Sequence, residues 1–309
     1  MRKFFLLRNT RKTGRGVVQC EATEVESSSI VWWRGTAPFA LLPARVWMAL
    51  FFAAPLGIVC AYSFLTRGDY GGVEQPWTFE SFTRLADPLY LAILWRSVWI
   101  ASLATALCAL LGFPLALFIS RAGPRKNLYL QLVLLPFWTS FLVRTYAWLF
   151  ILRDTGLINT VLMRLHLVAA PLQLLYNDGA VLIGLVYNFL PFFVLPMYAT
   201  LERLDPALLE AAADLGARPF ATLWRVIIPV SAPGFVAGAV LVFIPCLGAY
   251  LTPDLLGGGK SVMLGNLVQN QFTTARDWPF GSAASLVLML TSALVLAALM
   301  RSRMARELM

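Results

Sequence analysis

Charged residues punctuate this chain so sparsely that long apolar intervals dominate its pattern. Stretches free of Asp, Glu, Lys and Arg run over 46–66, 97–120, 127–143, 179–201, 226–253 and 278–300. Each approaches the ~20 residues that a helix needs to cross a hydrocarbon core ~30 Å thick. The third is short, but after Arg144 the apolar sequence resumes as TYAWLFIL, so that span extends to Leu152. The pattern predicts an all-α integral membrane protein with six transmembrane helices.

Composition agrees, with 59% hydrophobic residues, 13% charged residues and a mean hydropathy of +0.71, outside the usual range of soluble domains. The 25 basic residues set the orientation, because cytoplasmic loops retain Lys and Arg. With the N-terminus inside, 17 of the 25 fall on the cytoplasmic side, 7 on the other, and Arg144 lies within a span. Both termini are then cytoplasmic. Residues 1–40 form an N-terminal tail, 41–300 a six-helix transmembrane domain, and 301–309 a C-terminal tail. The net charge of +9 follows from this topology. Its basic residues are scattered among loops instead of forming a stripe, so no nucleic-acid partner is expected.

Several chemistries are disfavoured. Cys20, Cys60, Cys108 and Cys246 show no paired spacing, and His166 is the only histidine, so neither a metal site nor a disulfide framework is indicated. The segment GGGKS at 257–261 ends like a phosphate-binding loop, but the full pattern requires glycine at the position of Asp254 and a preceding strand. No carboxylate lies inside a span, which argues against a self-contained ion-coupled secondary transporter. No nucleophile set for an intramembrane enzyme appears either.

The connector between the fourth and fifth spans, about 202–229, is too elaborate for a simple turn. Asp205 and Pro206 provide an N-cap and a first-position proline, and ALLEAAADL continues with strong helix formers. Gly216 can take the left-handed conformation that ends a helix, and Pro219 opens a second helix running into the fifth span. Leu208, Ala211, Ala212 and Leu215 share one face of the first helix, while Phe220, Leu223, Trp224 and Ile227 share one face of the second. The bent pair could pack on the membrane surface as a re-entry elbow. It could also receive a docking partner, which the small alanine side chains favour by allowing close approach.

Glu210-Ala211-Ala212, three residues, Gly216, nine residues and Val226-Ile227-Ile228-Pro229 resemble the EAA loop of permease subunits of binding-protein-dependent ABC importers. The stretches LPFWTSFLVRTYAWLFILRDTGLINTVL, YNFLPFFVLPMYATLERLDPALLEAAADLGA, IPVSAPGFVAGAVLVFIPCLGAYLTPDLLGG and DWPFGSAAS resemble its spermidine/putrescine branch. The resemblance covers about 40–300, departing chiefly in valine where isoleucine is usual and Ile228 where leucine is usual. It implies a non-catalytic subunit of a bacterial inner-membrane complex containing two copies of an ABC ATPase, a second homologous permease and an extracytoplasmic solute-binding protein. No cofactor would bind this chain; ATP and Mg would belong to the ATPase. The resemblance assigns the loop to ATPase coupling, through Leu209, Glu210, Ala211, Ala212, Asp214, Gly216, Ala217 and Pro219. Polyamines are the implied cargo, with an opine, organic acid or metal chelate as the alternative.

Prolines 55, 114, 136, 191, 196, 233 and 245 within the spans free backbone groups and bend helices. Around Pro136 and Pro191 gather aromatic faces and polar tips suited to a cationic solute, and Trp138, Arg144, Tyr146, Tyr187, Asn188 and Phe192 are the candidates for lining a path. Arg144, some 16 residues into the third span, falls ~24 Å along a straight helix. That position places it near the external end, snorkelling to headgroups or meeting the path or binding protein. A cation there would repel a polyamine.

Overall fold

The computed structural model describes residues 42–301, so the expected N-terminal tail at 1–40 and all of the C-terminal tail except Arg301 lie outside the described residues. The chain divides at Ala54/Pro55 into two units. In the first, helix α1 (Leu42–Tyr62) begins with an exposed apolar surface on which Trp47 and Phe51 stack 4.2 Å apart. It continues past Pro55 into the second unit.

In that second unit a small hairpin, β1 (Thr66–Arg67) and β2 (Val73–Glu74), and a short helix α2 (Glu80–Leu85) precede α3 (Pro88–Ser120). After a 3-10 turn come α4 (Lys126–Leu134), a second 3-10 turn over Leu135–Trp138, α5 (Phe141–Leu152) and α6 (Leu157–Arg164). Next are α7 (Asp178–Glu202), α8 (Pro206–Asp214) and α9 (Pro219–Thr222), which passes through a π turn at Leu223–Ile227 into α10 (Ile228–Leu247). Three helices complete the order: α11 (Leu251–Gly257), α12 (Leu264–Thr273) and α13 (Trp278–Arg301). The π turn has a local cause, because Pro229 has no N–H to give the carbonyl of Arg225 its usual i+4 bond.

Among the described residues, five helical stretches are long and apolar enough to cross a membrane: α1, α3, α7, the run from α9 through α10, and α13. A sixth is counted if the pair 123–138 and 141–164, bent by 88°, is taken as one broken span. The third interval is thus not the straight helix expected over 127–152. The fifth ends at Leu247 instead of Pro253; α11 follows a turn at Gly248.

Helices α3, α7 and α10 pack on one another as the core. Phe193 of α7, 0% exposed, fills the contact. A Cβ added at Gly112 of α3 would lie 2.7 Å from its ring, and one added at Gly238 of α10 would lie 2.9 Å from the ring and 3.1 Å from its backbone oxygen. Lipid tails are as apolar as leucine, so helices in a bilayer gain little by hiding apolar surface from them. Close approach over small residues supplies the packing instead.

Polar pins hold the connectors at the two ends. At the hairpin end Arg84 Nη1 donates to Asp277 Oδ2 at 2.9 Å, and Asp277 Oδ1 accepts the backbone N–H of Phe280 at 3.2 Å, capping α13. Asp178 Oδ1 accepts from Arg96 Nη2 and Ser261 Oγ, both at 2.5 Å, and Arg96 Nη1 reaches the carbonyl of Lys260 at 2.8 Å. The GGGKS segment is therefore the turn after α11, with Gly258 left-handed at φ +55° and a helix, not a strand, before it. At the opposite end Lys126 Nζ meets Glu202 Oε1 at 2.5 Å, joining the start of α4 to the end of α7.

Candidate functional site

Two places carry the expected chemistry, and local sequence builds the first. The Asp205 carboxylate accepts the N–H of Ala207 at 2.9 Å and Pro206 occupies the first turn, so α8 starts where an N-cap and a pre-set φ dictate. The N–H groups of Gly216 and Ala217 return to the carbonyls of Ala213 and Ala212, at 2.8 and 3.0 Å, and Gly216 sits at φ +74°. That left-handed residue ends α8, and Pro219 begins α9. The result is a bent pair.

Its outward surface carries large apolar side chains among charged ones. Leu215 is 88% exposed, and Leu208, Phe220 and Trp224 are exposed beside Glu210, Ala211, Asp214 and Pro219. Leu209 and Ala217 are half-buried. Ala212 differs from the expectation of a docking contact. At 8% exposure it lies on the inner side of the elbow, where α8 packs against α9 and the π turn. The four residues expected to share one face of α8 are accordingly split, Ala212 inward and Leu208, Ala211 and Leu215 outward. Since helices this short are marginal alone, the elbow depends on that inner contact for its shape.

The second place is the break at Thr139–Ser140, which lies beside the middle of α7. Phe137 meets Phe192 edge-on at 5.1 Å, Phe141 lies 6.2 Å from Phe189, and Phe189 lies 6.0 Å from Phe192. Phe137 and Phe141 flank the 88° bend and Phe189 and Phe192 of α7 meet them, so the four rings form a basket. The guanidinium of Arg144 sits over it, 4.6 Å from the Phe137 centroid and 5.8 Å from that of Phe141.

Arg144 is 8% exposed, so it does not snorkel from an external helix end. Extrapolation along a straight helix fails because the chain turns sideways before reaching it. Its Nε and Nη1 have no hydrogen-bond partner among the described residues. Each unmade bond of a buried charged group costs ~1–3 kcal/mol or more, whereas a desolvated cation over a ring returns ~2 kcal/mol. The rings alone therefore hold the guanidinium weakly.

Beside it, Asn188 is 1% exposed, and its Nδ2 lies 3.5 Å from Thr145 Oγ1 while its Oδ1 has no partner among the described residues. Thr252 of α11 is buried against Gly184, one turn from Asn188, and its hydroxyl likewise has no partner among the described residues. Of the expected path residues, the structure gathers Arg144, Asn188 and Phe192 here. Tyr187 is exposed, its ring 5.5 Å from that of Trp148. Trp138 and Tyr146 are exposed and make none of the ring contacts of the basket. Phe141, Thr145, Phe189 and Thr252 were missed: each is an ordinary helix residue in sequence and gains meaning only from what the fold packs beside it.

A family model described as "Binding-protein-dependent transport system inner membrane component" matches residues 109–308. The chain is 43% identical over 251 residues to the Haemophilus influenzae spermidine/putrescine transport system permease protein PotB, covering 81% of this chain and 88% of that protein. To the Escherichia coli protein of the same description it is 41% identical over 251 residues, 81% of this chain and 91% of that one. Among solved structures it is similar in fold to a chain of a bacterial alginate ABC transporter in complex with an alginate pentasaccharide-bound periplasmic protein. That match has a TM-score of 0.72 at 16% identity, over 88% of this chain and 98% of that chain.

Proposed function

We propose, from the premise that this chain belongs to the binding-protein-dependent transport system inner membrane component family and is the permease subunit of an ABC importer, that its cargo is a polyamine of the spermidine and putrescine class. The observation that carries the cargo is identity above 40% across four-fifths of the chain to two permeases described for that transport. The ring basket beside an unpartnered amide oxygen supports it, being chemistry that suits an ammonium group.

In this reading the broken pair counts as one of six spans, both termini are cytoplasmic, and the exposed elbow faces the cytoplasm. The elbow docks on a separate ATPase, present in two copies, which carries the ATP and Mg. A second, homologous permease completes the path, and an extracytoplasmic solute-binding protein delivers the cargo at the hairpin end. ATP-driven closure of the ATPases pulls on the elbow and opens the path toward the loaded binding protein; hydrolysis resets it. The membrane-embedded chain supplies the path and the handle, and no bond-breaking step is assigned to it.

The test is uptake in cells. A strain deleted for this gene should lose saturable accumulation of labelled spermidine and putrescine and regain it on complementation, with unlabelled polyamines competing and opines, organic acids and metal chelates failing to compete. Unchanged polyamine uptake in the deleted strain, with loss of uptake of one of those other solutes, would replace the cargo and leave the importer reading standing.

A further inference from the structure

The charge that would repel a polyamine stands on the surface that a polyamine would use. The guanidinium of Arg144 lies over Phe137 at 4.6 Å and Phe141 at 5.8 Å, with Phe189 and Phe192 completing the basket. It is more than nine-tenths buried, yet two of its nitrogens have no partner among the described residues. A structural arginine in a membrane interior is normally anchored by a carboxylate or by carbonyls, and this one is held by ring faces.

We propose that Arg144 is a tethered stand-in for the substrate's ammonium: it occupies the basket while the path is empty, and a polyamine nitrogen displaces it during transport. The inference rests on the polyamine reading. The same rings cannot serve two cations at once, because like charges a few ångströms apart in a weakly screened site repel strongly. Displacement is favoured by what the guanidinium leaves unused. Asn188 Oδ1, on the residue bonded to Thr145 next in sequence to Arg144, accepts no hydrogen bond from the described residues. A compact ammonium with three freely rotating donors can meet ring faces and an acceptor together, whereas the tethered guanidinium, as placed, leaves both its own Nε and Nη1 and that oxygen unpaired among the described residues. Occupancy by the protein's own cation also repels small cations from an empty path.

The experiment uses the complete transporter, with its partner permease, ATPase and binding protein, in proteoliposomes. Methylammonium entry without ATP reads the seal, and ATP-driven spermidine uptake reads transport. Arg144→Gln should raise methylammonium entry at least about tenfold, the scale expected when one like charge leaves a weakly screened path. Arg144→Lys should keep entry near the parental rate, since an ammonium also sits on rings. If Arg144→Gln fails to assemble, Phe137→Leu reports on the same arrangement, because it keeps the charge, removes its ring and should also leak. Assembled Arg144→Gln or Phe137→Leu proteins that remain tight to methylammonium, with spermidine uptake at the parental rate, overturn the proposal. A parental complex that moves no polyamine removes the cargo reading instead, and is recognised before any variant is made.

Discussion

Ala212→Trp is expected to lower ATP-driven uptake at least about tenfold while the protein remains in the membrane at parental abundance, because the overpacking penalty of ~1–3 kcal/mol falls on a two-helix elbow with little stability of its own. Ala212 is 8% exposed on the inner side of α8, so an indole there cannot turn to solvent without prising α8 from α9 and the π turn. The spans are untouched, so insertion should survive. The exposed set around it, Leu208, Leu215, Phe220 and Trp224, would keep its composition and lose its arrangement. Gly216→Val gives a milder version. An added Cβ at that glycine meets nothing within 4 Å, so its cost is the left-handed backbone alone, about 1–2 kcal/mol for a residue with a Cβ. Abundance by quantitative blotting, ATPase retention by co-purification and labelled-solute uptake separate the outcomes. Parental uptake by an abundant Ala212→Trp protein would mean that the shape of the elbow does not matter.

Gly238→Leu should act in the opposite way, removing most of the folded protein from the membrane. A Cβ at Gly238 would lie 2.9 Å from the Phe193 ring, 3.1 Å from its backbone oxygen and 3.2 Å from its Cα. A ring can rotate, but backbone on a facing helix cannot move without separating α7 from α10. The expected cost is ~1–3 kcal/mol, at the upper end where the neighbour is main chain, with further loss because Phe193 also fills the contact with Gly112. Gly57→Leu is the matched control, since a Cβ there has nothing within 4 Å. Size-exclusion profiles in mild detergent should show Gly57→Leu like the parent and Gly238→Leu aggregated or absent. Equal profiles would show that the three-helix contact tolerates separation.

The elbow was legible because every signal in it is local. Asp205, Pro206, Gly216 and Pro219 each impose a backbone conformation at their own position, and the structure places the cap, the left-handed turn and the second helix start at those residues. The inward face of Ala212 was not legible, since a run of three alanines carries no pattern to tell one side from the other. The broken span was hidden for a different reason. Prolines 55, 114, 191, 196, 233 and 245 all lie inside continuous helices, so Pro136 did not announce a break that neighbouring helices determine. Missing the 88° bend carried Arg144 along a straight helix toward its end and hid the rings of Phe137, Phe141, Phe189 and Phe192 as one group. The pins at the hairpin end join residues 193 and 82 positions apart, Arg84 to Asp277 and Arg96 to Asp178, and no periodicity in the chain reports such pairs.

ATP-driven spermidine accumulation in proteoliposomes, with each component of the transporter omitted in turn, tests the central account most directly. The account predicts accumulation against a gradient only when this chain, its partner permease, the separate ATPase and the loaded binding protein are all present, and its collapse when the Ala212→Trp protein replaces the parent. Accumulation by this chain without the ATPase, sustained by an ion gradient and insensitive to ATP, would contradict it.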